Sequence, residues 1–333
     1  MTSSAPTLTR ALGAIAAAAS GIPGPARPPE PAVLAVLAER AESTVVRSGG
    51  LVAKAHAGDT DSAALSVRLR VAAHPLLDGI LLPPAALPGT DGALSAPVHG
   101  RTVTVWPFGR PVDPDAPDSA PWEDAGRLLA RLHSVPVAAL PGPLPPMRGP
   151  AKAARGVARM LAAGAAEPAV LAAWRGLPAW ARDEAPQPRD GAALCHGDLH
   201  LGQLVRHPAP LGPWRLIDVD DLGLGGPAWD LARPAMWFAA GLLDPADWGR
   251  FLGAYRAAGG PAVPADGDPW PHLDVAARAL AVQTAAIAVA KAAQEGRVLD
   301  VTEQAVLDTC RRIAEVKCSS TPGEGPRPVR ARR

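Results

Sequence analysis

Cysteine is scarce in this chain. Cys195, Cys310 and Cys318 are the only ones in 333 residues, too few and too scattered for a disulfide framework, so a reducing cytoplasm is the expected setting. Aromatic residues make up only 4%, which leaves little for stacking on nucleic-acid bases. Neither sign of charge is in surplus: Lys and Arg number 33 against 32 Asp and Glu, for a net charge of +1. A polyanionic partner calls for a basic excess, so no nucleic acid is expected. Long hydrophobic runs are missing too. The longest apolar stretch, residues 276–293, is interrupted by Arg278, Gln283, Thr284 and Lys291, and no membrane partner is expected. Arg10 followed by the Ala-dominated residues 11–19 has the outline of a signal-peptide core, but it is weakly hydrophobic and a helix is the better expectation. A G-x-G-x-x-G phosphate loop is also absent.

What is there points to a folded chain with many loops. Hydrophobic residues reach 48% beside 39 Pro and 33 Gly, too apolar for disorder. The length is too great for one small core and fits two lobes. The densest chemistry is Leu194-Cys195-His196-Gly197-Asp198-Leu199-His200-Leu201-Gly202-Gln203, followed by Leu216-Ile217-Asp218-Val219-Asp220-Asp221. A short apolar run leads into His-Gly-Asp, a carboxamide comes five residues after the Asp, and a strand-like Arg215-Leu216-Ile217 ends in a carboxylate. Phosphoryl transfer uses such a set: one carboxylate takes the proton of the attacking hydroxyl, while an amide and a second carboxylate hold Mg²⁺ against nucleotide phosphates. The protein-kinase order H-R-D-L-x-x-x-N, then D-F-G, presents the same groups in the same sequence.

These residues resemble the aminoglycoside phosphotransferase and choline kinase family, which has a protein-kinase-like fold. Its signature is H-G-D-x-x-x-x-N, then I-D-x-x-D, then G-x-P-x-x-D-L-A. Here the second block reads Ile217-Asp218-Val219-Asp220-Asp221 and the third Gly225-Gly226-Pro227-Ala228-Trp229-Asp230-Leu231-Ala232. Leu129-Ala130-Arg131-Leu132-His133-Ser134-Val135-Pro136 also resembles this family. The resemblance implies an α+β, two-lobed protein-kinase-like fold. A small β-rich N-terminal lobe (residues 1–107) would bind nucleotide, a larger helical lobe (108–318) would carry catalysis and substrate binding, and 319–333 would be a disordered basic tail. It implies an ATP- and Mg²⁺-dependent phosphotransferase acting on a hydroxyl of a small molecule. The acceptors of the family are aminoglycosides and other antibiotics, sugars and amino-alcohols. Asp198 would be the general base, Gln203 and Asp218 the metal ligands, Asp220 or Asp221 a helper, and Asp230 a structural cap of the loop after Pro227. Gln203 stands where the family has Asn, one methylene longer.

The region upstream fits the same plan. Residues 33–43 have helical spacing in Val33, Leu34, Val36 and Leu37; residues 44–47 and 51–56 around Ser48-Gly49-Gly50 read as a β-hairpin. Lys54 in Val52-Ala53-Lys54 matches the strand lysine that contacts the α and β phosphates in kinases. Its usual partner is a Glu on the next helix. The helix expected over 62–73 carries Arg68 and Arg70 but no acid, so Asp59, Asp61 or Glu42 is the expected substitute, and the turn 41–44 the expected phosphate cover. Residues 80–84 and 102–107 read as further strands. The second leads into a hinge, where backbone groups of Val105, Trp106 and Phe108 would face an adenine edge.

Helices are expected over 122–133, 151–163, 168–180, 227–238, 245–258, 273–293 and 301–316, the last opened by the capping pair Asp300 and Glu303. Two other functional readings stand beside the phosphotransferase. Cys195, His196, Asp198 and His200 are all metal-ligand types and could serve a metal-dependent hydrolase, although no second His/Cys cluster follows. The missing helix acid and Gln203 would also suit a nucleotide-binding scaffold without turnover. His196 reads as a backbone-bonding residue around the base, and His133 as structural.

Overall fold

The computed structural model describes residues 5–19, 34–40 and 43–318. Glu42, the first half of the 41–44 turn and the tail 319–333 lie outside the described residues. Two compact units make up the chain: Met1–Arg148 with Pro188–Asp230 and Gly249–Asp268, and Gly149–Gln187 with Leu231–Trp248 and Pro269–Arg333. Lys54, Val105, Trp106, Phe108, Asp198, Gln203 and Asp218 all fall in the first unit.

That unit opens with helix α1 (Ala5–Ala19), followed by strands β1 (Leu34–Glu39), β2 (Thr44–Ser48), β3 (Leu51–Ala55), β4 (Ser95–Val98) and β5 (Arg101–Pro107). They form one antiparallel sheet in the order β1-β2-β3-β5-β4. Side chains alternate between the faces of a strand. Val46, Ala53, Ala55, Val103 and Val105 therefore share one face, and Leu8, Leu12 and Ala16 of α1 pack on it. Lys54 pairs in register with Thr104 and Val52 with Trp106, so Lys54, His56, Thr104 and Trp106 share the opposite face. The β2–β3 turn is tight because Gly49 takes φ 59°, which suits the twist of the strands it joins.

Two expectations about the sheet are corrected. The described part of the stretch 33–43, residues 34–40 and 43, is not helical; it holds strand β1, which pairs with β2 through a bulge between Val36 and Ala38. Here the partner strand overrides local spacing, as it readily does for short Ala- and Leu-containing segments. Residues 80–84 are not a strand of this sheet either. Pro83 and Pro84 have no N–H for a ladder, and only Leu81 forms a bridge, parallel to Leu216. The edge strand is instead β4.

Helix α2 (Ser62–Ala72) is capped by Asp61, whose carboxylate accepts from the Ala63 and Ala64 amides at 3.0 Å each. Farther along come β6 (Arg110–Pro111), α3 (Trp122–His133), β7 (Ala193–Cys195), β8 (Leu204–Arg206), β9 (Trp214–Leu216) and β10 (Gly223–Gly225). β6, β8 and β9 form a three-stranded sheet, and β7 pairs with β10.

The remaining helices are α4 (Gly149–Ala162), α5 (Pro168–Arg175), α6 (Ala228–Ala239), α7 (Pro245–Ala257), α8 (Trp270–Glu295) and α9 (Val301–Cys318). α5 stops at Arg175, short of the expected 180, because Gly176 caps it and Pro178 follows. In the second unit α8 packs against α4, α5 and α9. Its 26 residues are long and apolar enough to cross a membrane, but 67% of the apolar window is buried in the protein. The expected interruptions do not break it: Gln283 is buried, and Arg278 pairs with Asp274 one turn earlier at 2.8 Å.

The capping pair of α9 is present. The Glu303 amide donates to Asp300 at 2.8 Å, and Glu303 accepts from the Asp300 amide at 3.0 Å. Arg297 and that amide hold the Glu303 carboxyl down at about 2. Asp300→Ala removes one cap acceptor and should cost about 1 kcal/mol of stability. Denaturant unfolding should show the midpoint lowered with the slope unchanged.

Candidate active site

The His-Gly-Asp turn follows β7 directly, and one buried carboxylate holds its backbone. Asp230, 1% exposed, accepts from the His196 amide at 2.6 Å and from the Gly197 amide at 2.8 Å. His133 Nε2 donates to Asp230 at 3.0 Å, while the Tyr255 hydroxyl meets His133 Nδ1 at 2.8 Å and accepts from the Ala262 amide at 2.9 Å. Burial alone would push the Asp230 carboxyl up; the His133 hydrogen bond and the nearby imidazoles outweigh it and hold the group below the usual carboxylate range. Asp230 thus caps the His-Gly-Asp turn itself, not the loop after Pro227. Its role is structural, as expected, at a different turn from the expected one. His133 is structural as expected.

Gly197 is required twice over. Its φ is 85°, and a Cβ there would come within 2.4 Å of the Asp221 carbonyl oxygen. His196 turns inward, its Nε2 2.7 Å from the Ile217 carbonyl, and so ties the turn to the residue before Asp218. Asp198 follows, half-buried, ahead of the single 3-10 turn Leu201–Gln203. His200 has a local part, accepting from the Gly202 amide at 3.1 Å. The β8–β9 hairpin then brings the two expected metal ligands together: Leu204 pairs with Leu216, and the Ile217 amide donates to the Gln203 carbonyl at 2.9 Å.

Asp218 stands on a left-handed backbone, φ 64°, a conformation that costs a non-Gly residue about 1–3 kcal/mol. Lys54 reaches it from β3: Nζ lies 2.8 Å from Asp218 Oδ1 and 3.0 Å from Asp220 Oδ2. Burial opposes the Lys54 charge, but the two carboxylates outweigh it and raise the ammonium above its ordinary range. Lys54 and His56 in turn hold Asp220 well below the carboxylate range, against the opposing effect of burial. The acid partner of Lys54 is therefore neither of the expected residues that the structure describes. Asp61 is the cap of α2 and Asp59 is exposed; the carboxylates come from the Asp218–Asp220 loop itself.

At the expected hinge the backbone is largely engaged. The Val105 carbonyl accepts from the Ala85 amide at 2.8 Å, and the Phe108 amide, expected to face an adenine edge, donates to the Gly50 carbonyl at 2.7 Å. Arg47 lies over the Phe108 ring, 3.4 Å from its centroid. Val105 points into the α1 core, whereas Trp106 lies on the Lys54 face and donates from Nε1 to Thr104 Oγ1 at 2.9 Å. The hydrolase-type ligand cluster is not assembled. Cys195 Sγ is directed at the Gly225 carbonyl at 3.3 Å and His196 Nε2 at Ile217. Among the described residues, His133, Cys195 and Asp230 do lie within 4.8 Å of one another, but their donors already satisfy each other and the backbone.

A sheet lysine thus meets a carboxylate loop beside a clamped His-Gly-Asp turn. The sequence matches the phosphotransferase enzyme family over residues 26–273, and the chain belongs to that family. No curated protein matches significantly. Solved structures share the fold. A choline/ethanolamine kinase family protein from Mesorhizobium loti is 18% identical, with 95% of each chain covered and a TM-score of 0.53. A spectinomycin phosphotransferase in complex with ADP and spectinomycin is 14% identical, with 95% of each chain covered and a TM-score of 0.54. A thermostable mutant of an aminoglycoside phosphotransferase in ternary complex with AMP-PNP and hygromycin B is 14% identical, covering 86% of this chain and 95% of that one, with a TM-score of 0.55. At these identities the likeness is one of fold. The protein is a phosphotransferase with a kinase-like fold.

Asp230→Ala leaves two amides and His133 without their acceptor, and should cost about 3–5 kcal/mol. Because the folded-state carboxyl is held below its unfolded value, the contribution is full above about pH 4 and fades as the pH falls toward the folded value. Unfolding of wild type and variant across pH 3–7 should show the two curves converging at the acid end.

Proposed function

We propose that the protein transfers the γ-phosphoryl group of ATP, with Mg²⁺, to a hydroxyl of a small molecule. The observation that carries this reading is the convergence of Lys54 on Asp218 and Asp220, at 2.8 and 3.0 Å. Asp198 accepts the proton of the acceptor hydroxyl as its oxygen attacks. Lys54 aligns and partly neutralises the nucleotide phosphates. Trp106, on the same face, with Val105 and the hinge residue Phe108, forms the nucleotide side, the lobe being residues 1–107. Catalysis and acceptor binding belong to the remainder, up to residue 318.

Gln203 and Asp218 suit Mg²⁺: their donor atoms are oxygens, the hard ligands that ion takes, and the Asp218 carboxylate already faces a cation, the Lys54 ammonium. When bound, the metal would neutralise charge on the phosphates. The acceptor class we propose is a polyhydroxylated or amino-bearing small molecule; spectinomycin and hygromycin B, named with two of the similar structures, are the first to try. A cytoplasmic setting is proposed from the cysteine usage. The scaffold without turnover loses one of its two supports, since Lys54 has its acids.

Asp198→Asn keeps the shape of the base but not its basicity. Turnover should fall by about 10²–10⁴-fold, while ATP still raises the melting temperature; near-normal turnover would remove Asp198 from the role. Asp218→Ala should abolish Mg²⁺-dependent nucleotide binding in a melting-shift or calorimetric titration. Gln203→Asn should be tolerated in the same assay. Retained Mg²⁺-dependent binding in Asp218→Ala would refute the metal assignment.

A further inference from the structure

The residue after Lys54 on its own face of the sheet is His56. It is 1% exposed, and both ring nitrogens are met. Nδ1 lies between the two Asp220 oxygens, 3.1 Å from Oδ1 and in a hydrogen bond with Oδ2 at 3.3 Å. Nε2 lies 2.9 Å from Thr104 Oγ1, and Trp106 Nε1 donates to that same hydroxyl at 2.9 Å. One arrangement of protons satisfies every group: Trp106 donates to Thr104, the Thr104 hydroxyl donates to His56 Nε2, and His56 Nδ1–H donates to Asp220. The chain ends on Asp220, whose Oδ2 also meets Lys54 at 3.0 Å.

Lys54 thus has two carboxylates, and the proposed reaction gives them different work. Asp218 is needed as a metal ligand, and a carboxylate turned to a metal gives up much of its charge contact with an ammonium. Asp220 stays with Lys54. We propose that Asp220 is the carboxylate that orients Lys54, and that His56, backed by Thr104 and Trp106, is the positioning residue that keeps Asp220 in place. The choice of Asp220 over Asp218, and what Lys54 is oriented for, rest on the phosphotransfer reading; that His56 holds Asp220 beside Lys54 does not.

The arrangement replaces the helix acid of kinases. α2 offers no acid in its span, and its buried Arg68 donates instead to the Leu222 carbonyl at 2.7 Å, two residues beyond Asp220. The Lys54 anchor and the metal ligand therefore sit on one five-residue loop, Asp218–Leu222. A lysine stem of four carbons is flexible, and a carboxylate fixed from behind limits where its ammonium can rest. The neighbours that fix His56 lie on β5, in register with β3, so the device is carried by sheet pairing.

The chain has four lysines, Lys54, Lys152, Lys291 and Lys317. Acylation by an amine-reactive ester at fixed pH can therefore be followed at each by mass spectrometry, with Lys152, Lys291 and Lys317 as internal standards. His56→Leu should speed Lys54 acylation severalfold, because a carboxylate no longer fixed from behind leaves the lysine freer to reach the reagent, with the three standards unchanged. His56→Asn, whose side-chain N–H can stand in for Nδ1–H, should stay close to wild type. Thr104→Val, which keeps the shape and removes the hydroxyl, should give a smaller increase and serves if His56→Leu does not fold. In turnover, His56→Leu should raise the KM for ATP more than it lowers kcat, and His56→Asn should restore both. A merely structural histidine would lower the melting temperature and leave Lys54 labelling alone. Unchanged Lys54 labelling in His56→Leu, or in Thr104→Val if that is the variant that folds, overturns the inference. Labelling that shifts as expected in a protein that neither binds nor consumes ATP upholds the positioning by His56 and overturns the phosphotransfer reading instead.

Discussion

A buried carboxylate facing two consecutive backbone amides is the constraint on which this site depends. Asp230 fixes the amides of His196 and Gly197, at 2.6 and 2.8 Å, and so sets where Asp198 leaves the turn. His196, held by its backbone, has its ring directed at the Ile217 carbonyl, which positions the start of the Asp218 loop. Burying a charge is costly unless it is paired and hydrogen-bonded. Asp230 meets that condition through His133, which the Tyr255 hydroxyl steadies from its other side. Two helices distant in sequence, α3 and α7, are thereby enlisted to place one turn.

The small sheet contributes by a different route. Its face toward α1 is apolar, so the residues of opposite parity on β3 and β5 must carry whatever polar work is done. Lys54, His56, Thr104 and Trp106 are those residues, and hydrogen bonds link them into one line that ends on Asp220. An ammonium beside two carboxylates balances the charge of a loop that otherwise places Asp218, Asp220 and Asp221 within four residues. Arg148, 3.6 Å from Asp221, adds to the balance.

Much of this was legible in the sequence wherever the signal was local. The His-Gly-Asp block, the Gly-Gly hairpin, the stripe of α3 and the capping pair of α9 depend on neighbours a few residues away, and the structure places them as read. Strand β1 was not legible, because its identity comes from pairing with β2 and its own spacing suits a helix. Residues 80–84 looked like a strand from composition, yet Pro83 and Pro84 leave only Leu81 to bridge. The partner of Lys54 was sought on a helix by analogy, whereas it lies 164 residues away on the Asp218 loop. His56 did have a sequence signal: it shares parity with Lys54, and the strand it faces carries Thr104 and Trp106 at the same parity. That signal becomes legible only once β3 is known to pair with β5.

The left-handed backbone at Asp218 also bears on which side chains the loop can accept. Positive φ is tolerated by Gly and, among residues with side chains, best by Asn and Asp, whose short polar groups can bond locally. Glu, with the right charge and a longer reach, is a poor fit there whatever its ligand chemistry. Gln203 carries no positive φ. In a site built this way the arm at 218 has a set length, and any change in the distance to be spanned has to be absorbed at 203. The longer carboxamide is found at that position.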